Sequence, residues 1–136
     1  MTGAALLETR PEGLYCPAGD FHIDPVRPVA RAVVTHGHAD HCRPGSRALL
    51  ATPETAAIAA ARYGVDAFGR VQTLAYGEAL RIGDVALRLA PAGHVLGSAQ
   101  VVVERGGSRA VVSGDYKRRP DPTCAPFEAV ACDLFV

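Results

Sequence analysis

Lysine is almost missing from this chain. Lys117 is the single one, set against thirteen arginines, a bias that reads as genome composition rather than function. Formal net charge is zero, so no global field draws the chain toward a polyanion, and any such surface has to be local. The four cysteines, Cys16, Cys42, Cys124 and Cys132, form no Cys-x-x-Cys pair and no dense framework. They read as reduced thiols of a cytoplasmic protein. No apolar run approaches the ~20 residues that span a bilayer. Met1 to Arg10 also lacks the basic start and long apolar core of a signal peptide. The expectation is a soluble, cytoplasmic protein with no membrane partner. There is no Ser-His-Asp arrangement, and no phosphate-binding glycine loop. Gly106-Gly107 falls in a predicted hairpin without a following helix.

What is present fits one domain of 136 residues, 49% hydrophobic and 21% charged. The informative stretch is His36-Gly37-His38-Ala39-Asp40-His41, directly after the apolar run Ala32-Val33-Val34-Thr35. Neutral imidazole is the commonest protein ligand for transition metals, and carboxylate adds a harder oxygen donor. His36 and His38 are two apart and point to one side of an extended segment. Asp40 and His41 follow where strand gives way to loop and can turn toward a second position. The layout suits two adjacent metal ions.

Around this stretch the sequence predicts short strands at 14–16, 21–23 and 48–51. A helix opens at Thr52-Pro53-Glu54, with Thr52 as cap and Pro53 at the first helical position, and stops at Gly64. From Val71 the period changes to two. This predicts a β-meander of 71–74, 79–82 and 85–90, followed by a hairpin of 99–104 and 109–113 across Arg105-Gly106-Gly107-Ser108. Another apolar strand is predicted from Cys132. Residues 1–13 carry little pattern. Asp24 ends a strand and on spacing alone reads as a turn former. His22 reads as structural, and Cys42 as a small buried thiol. His94, alone after Gly93, would be ordinary by itself, while Asp115 sits past a strand end as the histidine cluster does. Lys117-Arg118-Arg119 is the one dense positive run. It is either a solvated loop or a contact for backbone phosphates.

His-x-His-x-Asp-His after a hydrophobic strand resembles the signature of the metallo-β-lactamase fold superfamily. Gly93-His94-Val95-Leu96-Gly97-Ser98 resembles the third metal-binding motif of the nucleases of that fold. The chain is similar to the DNA-ligase-associated exonucleases, relatives of the β-CASP nucleases that process mRNA 3′ ends. The resemblance runs from about Tyr15 to Val136 and covers less than half of the family's length. It implies an α/β (α+β) fold of four layers, αββα, with residues 1–136 as its N-terminal half. The helicase-like cap and the C-terminal half, with the later histidine that completes the second metal, would lie outside this chain, since His94 is its last histidine. The expectation is therefore an N-terminal fragment or truncated product.

The resemblance further implies one metal on His36, His38 and His94 and a second on Asp40 and His41, with Asp115 between them. Asp24 would orient a ligand. Asp40, His41 and Asp115 would be the catalytic groups. Zn²⁺ is the leading ion and Mn²⁺ the alternative. The implied function is metal-dependent phosphodiester hydrolysis by an exonuclease on DNA, with RNA as the other substrate, in repair beside an ATP-dependent DNA ligase. The alternatives are a hydrolase of the same fold acting on a thioester, lactone or β-lactam, and a catalytically silent metal-binding fragment.

Overall fold

The structure is a computed structural model that describes residues 6–136. Of the low-pattern stretch 1–13, residues 1–5 therefore lie outside the described residues. Two β-sheets stack face to face. The first holds β1 (Glu8–Arg10), β2 (Gly13–Cys16), β3 (Phe21–Ile23), β4 (Arg31–Val33), β5 (Ala48–Ala51) and β6 (Arg70–Thr73), in that order. Hairpins make β1 to β3 antiparallel, and β3 to β6 are parallel. The second sheet holds β7 (Ala79–Ile82), β8 (Val85–Pro91), β9 (Ala99–Arg105), β10 (Ser108–Val112) and β11 (Leu134–Phe135). It is antiparallel from β7 to β10, and β11 joins β10 in parallel.

A parallel pair needs a crossover, and α1 (Pro53–Tyr63) supplies the one between β5 and β6. Its start is as the sequence predicts: Thr52 caps by accepting from the Thr55 amide, and Gly64 closes the helix with its amide on the Ala60 carbonyl. Alanine on its inner face brings the helix close to the sheet, so Ala59 packs with Ala32, Val34, Leu49 and Ala51. On the other face of the sheet, Ile23, Val33 and Leu50 meet Val85, Leu87, Leu89, Val101 and Val103 in the main core.

In β9 the residues from Ala99 to Val103 are all buried. Burial without alternation, in a run apolar except for Gln100, means both faces are covered. Ala99, Val101 and Val103 face the first sheet, while Val102 packs on the outside with Ala90, Val111 and Val130. No helix covers that outer face among the described residues. An irregular stretch does so, held where Gln100 Nε2 donates to the carbonyls of Pro91 (3.0 Å) and Glu128 (2.6 Å). The described layers are thus helix, sheet, sheet, part of the four expected.

Two sequence expectations need correction. The stretch 71–74 does not belong to the meander, because β6 pairs with β5 in the first sheet and the meander begins at β7. All four β6 side chains are exposed. A polar edge strand carries the period of a strand but no signal for which sheet it joins. The low-pattern start also contains β1, an exposed edge strand whose register on β2 comes from backbone pairing.

Candidate metal centre

The segments after β4, β8 and β10 meet at one pole of the sandwich. The Ala99 amide bonds the Thr35 carbonyl at 2.7 Å, tying the sheets together there. Past Thr35 the chain leaves β4 carrying His36 and His38. The amides of His41 and Cys42 then both bond the His38 carbonyl, making a single helical turn. That turn swings Asp40 and His41 to the side.

Four side chains from three segments converge: ligand atoms of His36, His38, His94 and Asp115 all lie within 4.8 Å of one another. His94 Nε2 is 3.3 Å from His38 Nδ1. Asp115 has one oxygen toward each group. Its Oδ2 is 3.7 Å from both His36 Nε2 and His94 Nε2, and its Oδ1 is 3.6 Å from His41 Nε2. His41 Nε2 is also 3.5 Å from Asp40 Oδ2. Two neighbouring donor sets result, His36/His38/His94 and Asp40/His41, and one carboxylate faces both.

His36 is buried, and its Nε2 has no hydrogen-bond partner among the described residues. An orphaned buried polar atom is costly. Aimed at two other imidazoles and a carboxylate, this one fits a cation that the other donors share. Burial, with His41 nearby, pushes the His36 pKa down to about 4, so the ring is neutral at pH 7 and its lone pair is free. His41 moves the other way, raised chiefly by its hydrogen bond to Asp24.

Asp24, rather than Asp20, reaches this centre. Asp20 accepts from the Tyr15 hydroxyl at 2.7 Å. Asp24 adopts a left-handed backbone (φ 47°), which aspartate tolerates better than most residues. Its carboxylate accepts from the Thr35 amide (2.7 Å), the Thr35 hydroxyl (2.6 Å) and His41 Nδ1 (2.8 Å). Because the Thr35 hydroxyl spends its proton on Asp24, it acts as acceptor for His36 Nδ1–H at 2.9 Å. In the neutral rings the proton therefore sits on Nδ1 and Nε2 faces the cluster, the usual arrangement for imidazoles that bind metal.

Sequence reasoning missed the residues that hold the His94 loop. The hydroxyls of Thr52 and Thr55 at the start of α1 both donate to the Gly97 carbonyl, at 2.8 and 3.1 Å. Gly97 has φ +78°, and a Cβ there would lie 2.7 Å from the Glu54 Cβ, so the close approach needs glycine. Ser98 Oγ accepts from the amides of His94 (3.0 Å) and Val95 (3.2 Å). The cap Thr52 was legible, but its second bond, 45 residues along the chain, was not. Gly114 is the other demanding position. At φ +57° it packs on Thr35, where a Cβ would come within 2.6 Å of the hydroxyl.

Other candidates lie elsewhere. Cys42 is buried in the helix-side core, its thiol pushed up to about 11 by burial. His22 lies 3.7 Å from Glu12 and packs on Tyr15, away from the cluster. Of the basic run, Lys117 pairs with Asp121 at 3.2 Å, while Arg118 and Arg119 are exposed. No helix of the described residues is long and apolar enough to cross a membrane.

No protein-family model matches the chain. A protein of Opitutus terrae named a probable DNA ligase is 32% identical over 126 residues, which is 91% of this chain and 12% of that protein. Ribonuclease TTHA0252 of Thermus thermophilus is 42% identical over 67 residues, 46% of this chain and 16% of its own length. The chain thus spans a minor part of the relatives it matches. A solved structure of a mutant CmlA β-hydroxylase superposes with a TM-score of 0.59 at 15% identity, over 83% of this chain and 30% of that one.

Proposed function

We infer, from a chain with the metallo-β-lactamase fold and a likeness to the nucleases of that fold over their N-terminal part, that this pole hydrolyses phosphodiester bonds of nucleic acid with divalent metal. The observation that carries this reading is Asp115, whose two oxygens face the two donor sets. His36, His38 and His94 would hold one ion, Asp40 and His41 a second, with Asp115 shared. The three-nitrogen set suits Zn²⁺, and the oxygen-richer set accepts Zn²⁺ or Mn²⁺. When bound, such ions supply a hydroxide at neutral pH and neutralise charge on the phosphate oxygens.

The chain's own residues do the rest. Asp40, with its side chain 72% exposed, is free to take a proton from the attacking water. Asp24 and Thr35 engage Nδ1 of His41 and His36 and so aim both Nε2 atoms at the cluster. The Thr52–Gly97–Thr55 bonds hold His94 in place. Arg118 and Arg119, exposed just beyond Asp115, are set to meet the backbone phosphates of a bound strand, with Lys117 beside them.

DNA is the proposed substrate and exonucleolytic removal of nucleotides the proposed reaction, beside a DNA ligase. The relative named a probable DNA ligase contains a matching segment within its own chain, which supports that setting. The likeness to a ribonuclease makes RNA the competing substrate. The cell compartment proposed is the cytoplasm.

The test compares end-labelled DNA and RNA strands of one sequence, each with Zn²⁺ or Mn²⁺, with a thioester as control substrate. Shortening of DNA from an end, lost in Asp115→Ala, is the expected result. Hydrolysis of the thioester alone would replace this reading with that of another hydrolase. A second reading has an observation of its own: Asp40 and His41 find no third protein ligand besides the shared Asp115 among the described residues. One tightly held metal per chain with no hydrolysis would make the chain a silent metal-binding unit.

A further inference from the structure

The pole opposite the metal cluster gathers arginines that lie far apart in sequence. Arg31, Arg70 and Arg81 line a cavity of about 290 Å³ between the sheets, and Arg47 lines its outer approach. No Asp or Glu lines either space. None of these four arginines has an ion-pair partner among the described residues. In a chain of zero net charge, four such arginines gather here. The sequence-dense run at Lys117 is instead partly neutralised by Asp121.

Strand register produces the arrangement. Arg31 pairs with Ala48, and Ala48 with Arg70. Residues in register share a face of the sheet. Here it is the face of Val33 and Leu50, two residues along, which looks into the core between the sheets. Arg31 and Arg70 therefore flank the small Ala48 with Cα atoms ~9–10 Å apart, two strand spacings. Side chains of that length converge readily on one phosphate, which guanidinium forks bind in bidentate fashion. Behind them one wall of the cavity is apolar, formed by Phe21, Val33, Leu50, Leu80 and Ile82, and Gln72 adds a polar group. Its volume is near the lower end of small-ligand pockets, ~300–1,000 Å³, which suits one nucleotide and excludes a duplex.

We propose that this cleft binds a nucleoside monophosphate, with the phosphate between Arg31 and Arg70 and the base in the apolar space between the sheets. The anion site follows from the cleft alone. The choice of a nucleoside phosphate rests on the hydrolytic reading above, whose products are of that class.

The experiment titrates AMP, and separately inorganic phosphate, into the chain stripped of metal, so that the other pole contributes no phosphate affinity of its own. Saturable binding of AMP is expected, at least ten-fold tighter than phosphate. It should weaken at least ten-fold in the double variant Arg31→Gln/Arg70→Gln and not at all in Arg62→Gln, an exposed arginine on the helix. Arg31→Lys/Arg70→Lys keeps the charge without the fork and should fall between. Both positions are exposed, so an unchanged thermal midpoint establishes that the variants fold. No saturable AMP binding, equal affinity for phosphate, or a double variant that binds like the parent overturns the proposal. The two readings fail separately. AMP binding that depends on these arginines in a chain without hydrolytic activity removes the hydrolytic reading and leaves the cleft. Hydrolysis with no arginine-dependent binding does the reverse.

Discussion

The strand β4 begins at Arg31 and leads, by its other end, to His36, a span of ~16 Å at strand rise. Its two ends solve opposite problems. At the metal pole His36 is buried while His38, Asp40 and Asp115 reach the surface, and named bonds hold His36, His41 and the His94 loop. Asp24 serves Thr35 and His41, Thr35 serves His36, and the start of α1 grips the His94 loop. At the arginine pole the charged groups stay exposed and unpaired, and only their stems are ordered by register. Imidazoles can be buried because they are neutral, whereas a guanidinium is always charged. A buried guanidinium without a partner would cost far more than the fold can offset. The difference teaches that a cluster of positioned imidazoles and a group of unpaired arginines can share one sheet, because the two ends of a strand are insulated by the core between them.

The sharpest way to break that contrast is Asp115→Ala. Removing the carboxylate that faces both donor sets should lower hydrolysis by at least about 100-fold. AMP affinity at the far pole should stay unchanged. A hydrolysis rate equal to the parent's would mean the cluster is not the reacting centre. Next in size, Asp24→Asn removes the charge and turns one of two acceptor oxygens into a donor, and Zn²⁺ affinity in a chelator competition should drop ~10–100-fold, as for other outer partners of metal ligands. Thr55→Val keeps the shape and removes one of two donors to Gly97. Zn²⁺ binding should weaken roughly ten-fold while the metal-free chain loses only about 1 kcal/mol. A full loss of stability with intact affinity would make that threonine merely structural.

Acid sharpens the contrast more gently. His36 in the native, metal-free chain titrates at about 4, below the ordinary value of 6.5. Between those values the unfolded chain takes up a proton that the native chain refuses, so stability falls as pH drops through that window. His41, with its raised pKa, contributes stability that is present below 6.5 and fades as pH rises through its native value. Thermal midpoints of the metal-free chain should thus be lower at pH 4.5 than at pH 6.5. Asp24→Asn, which removes the bond that raises His41, should steepen the fall. The smallest effect is expected for Lys117→Gln. Its ammonium is exposed and shared with Asp121, and such pairs contribute ~0–1 kcal/mol. Binding of a DNA strand should change less than about three-fold, against a larger loss for Arg118→Gln/Arg119→Gln.

Much of this protein could be read locally. The histidine cluster, the helix start at Thr52 and the strands flanking Gly106-Gly107 all depend on residues within a turn or two of one another, where backbone preference and side-chain spacing suffice. The same holds for the alternation in β8, whose Val85, Leu87 and Leu89 face one way. Where period-two patterning met a polar edge strand, it misassigned 71–74 to the second sheet, because alternation carries the pleat and not the partner.

Sequence pattern did not contain the cross-chain bonds. Nothing near Thr55 announces Gly97, and nothing near Arg31 announces Arg70. The convergence of His94 with His36 and His38, the two-sided placement of Asp115, and the clearing of acids from the arginine pole were settled by sheet stacking and strand register. Local residue chemistry decided which groups could bind a cation or an anion. Burial of the shared core, which fixes the distances between strands far apart in the chain, decided which of those groups meet.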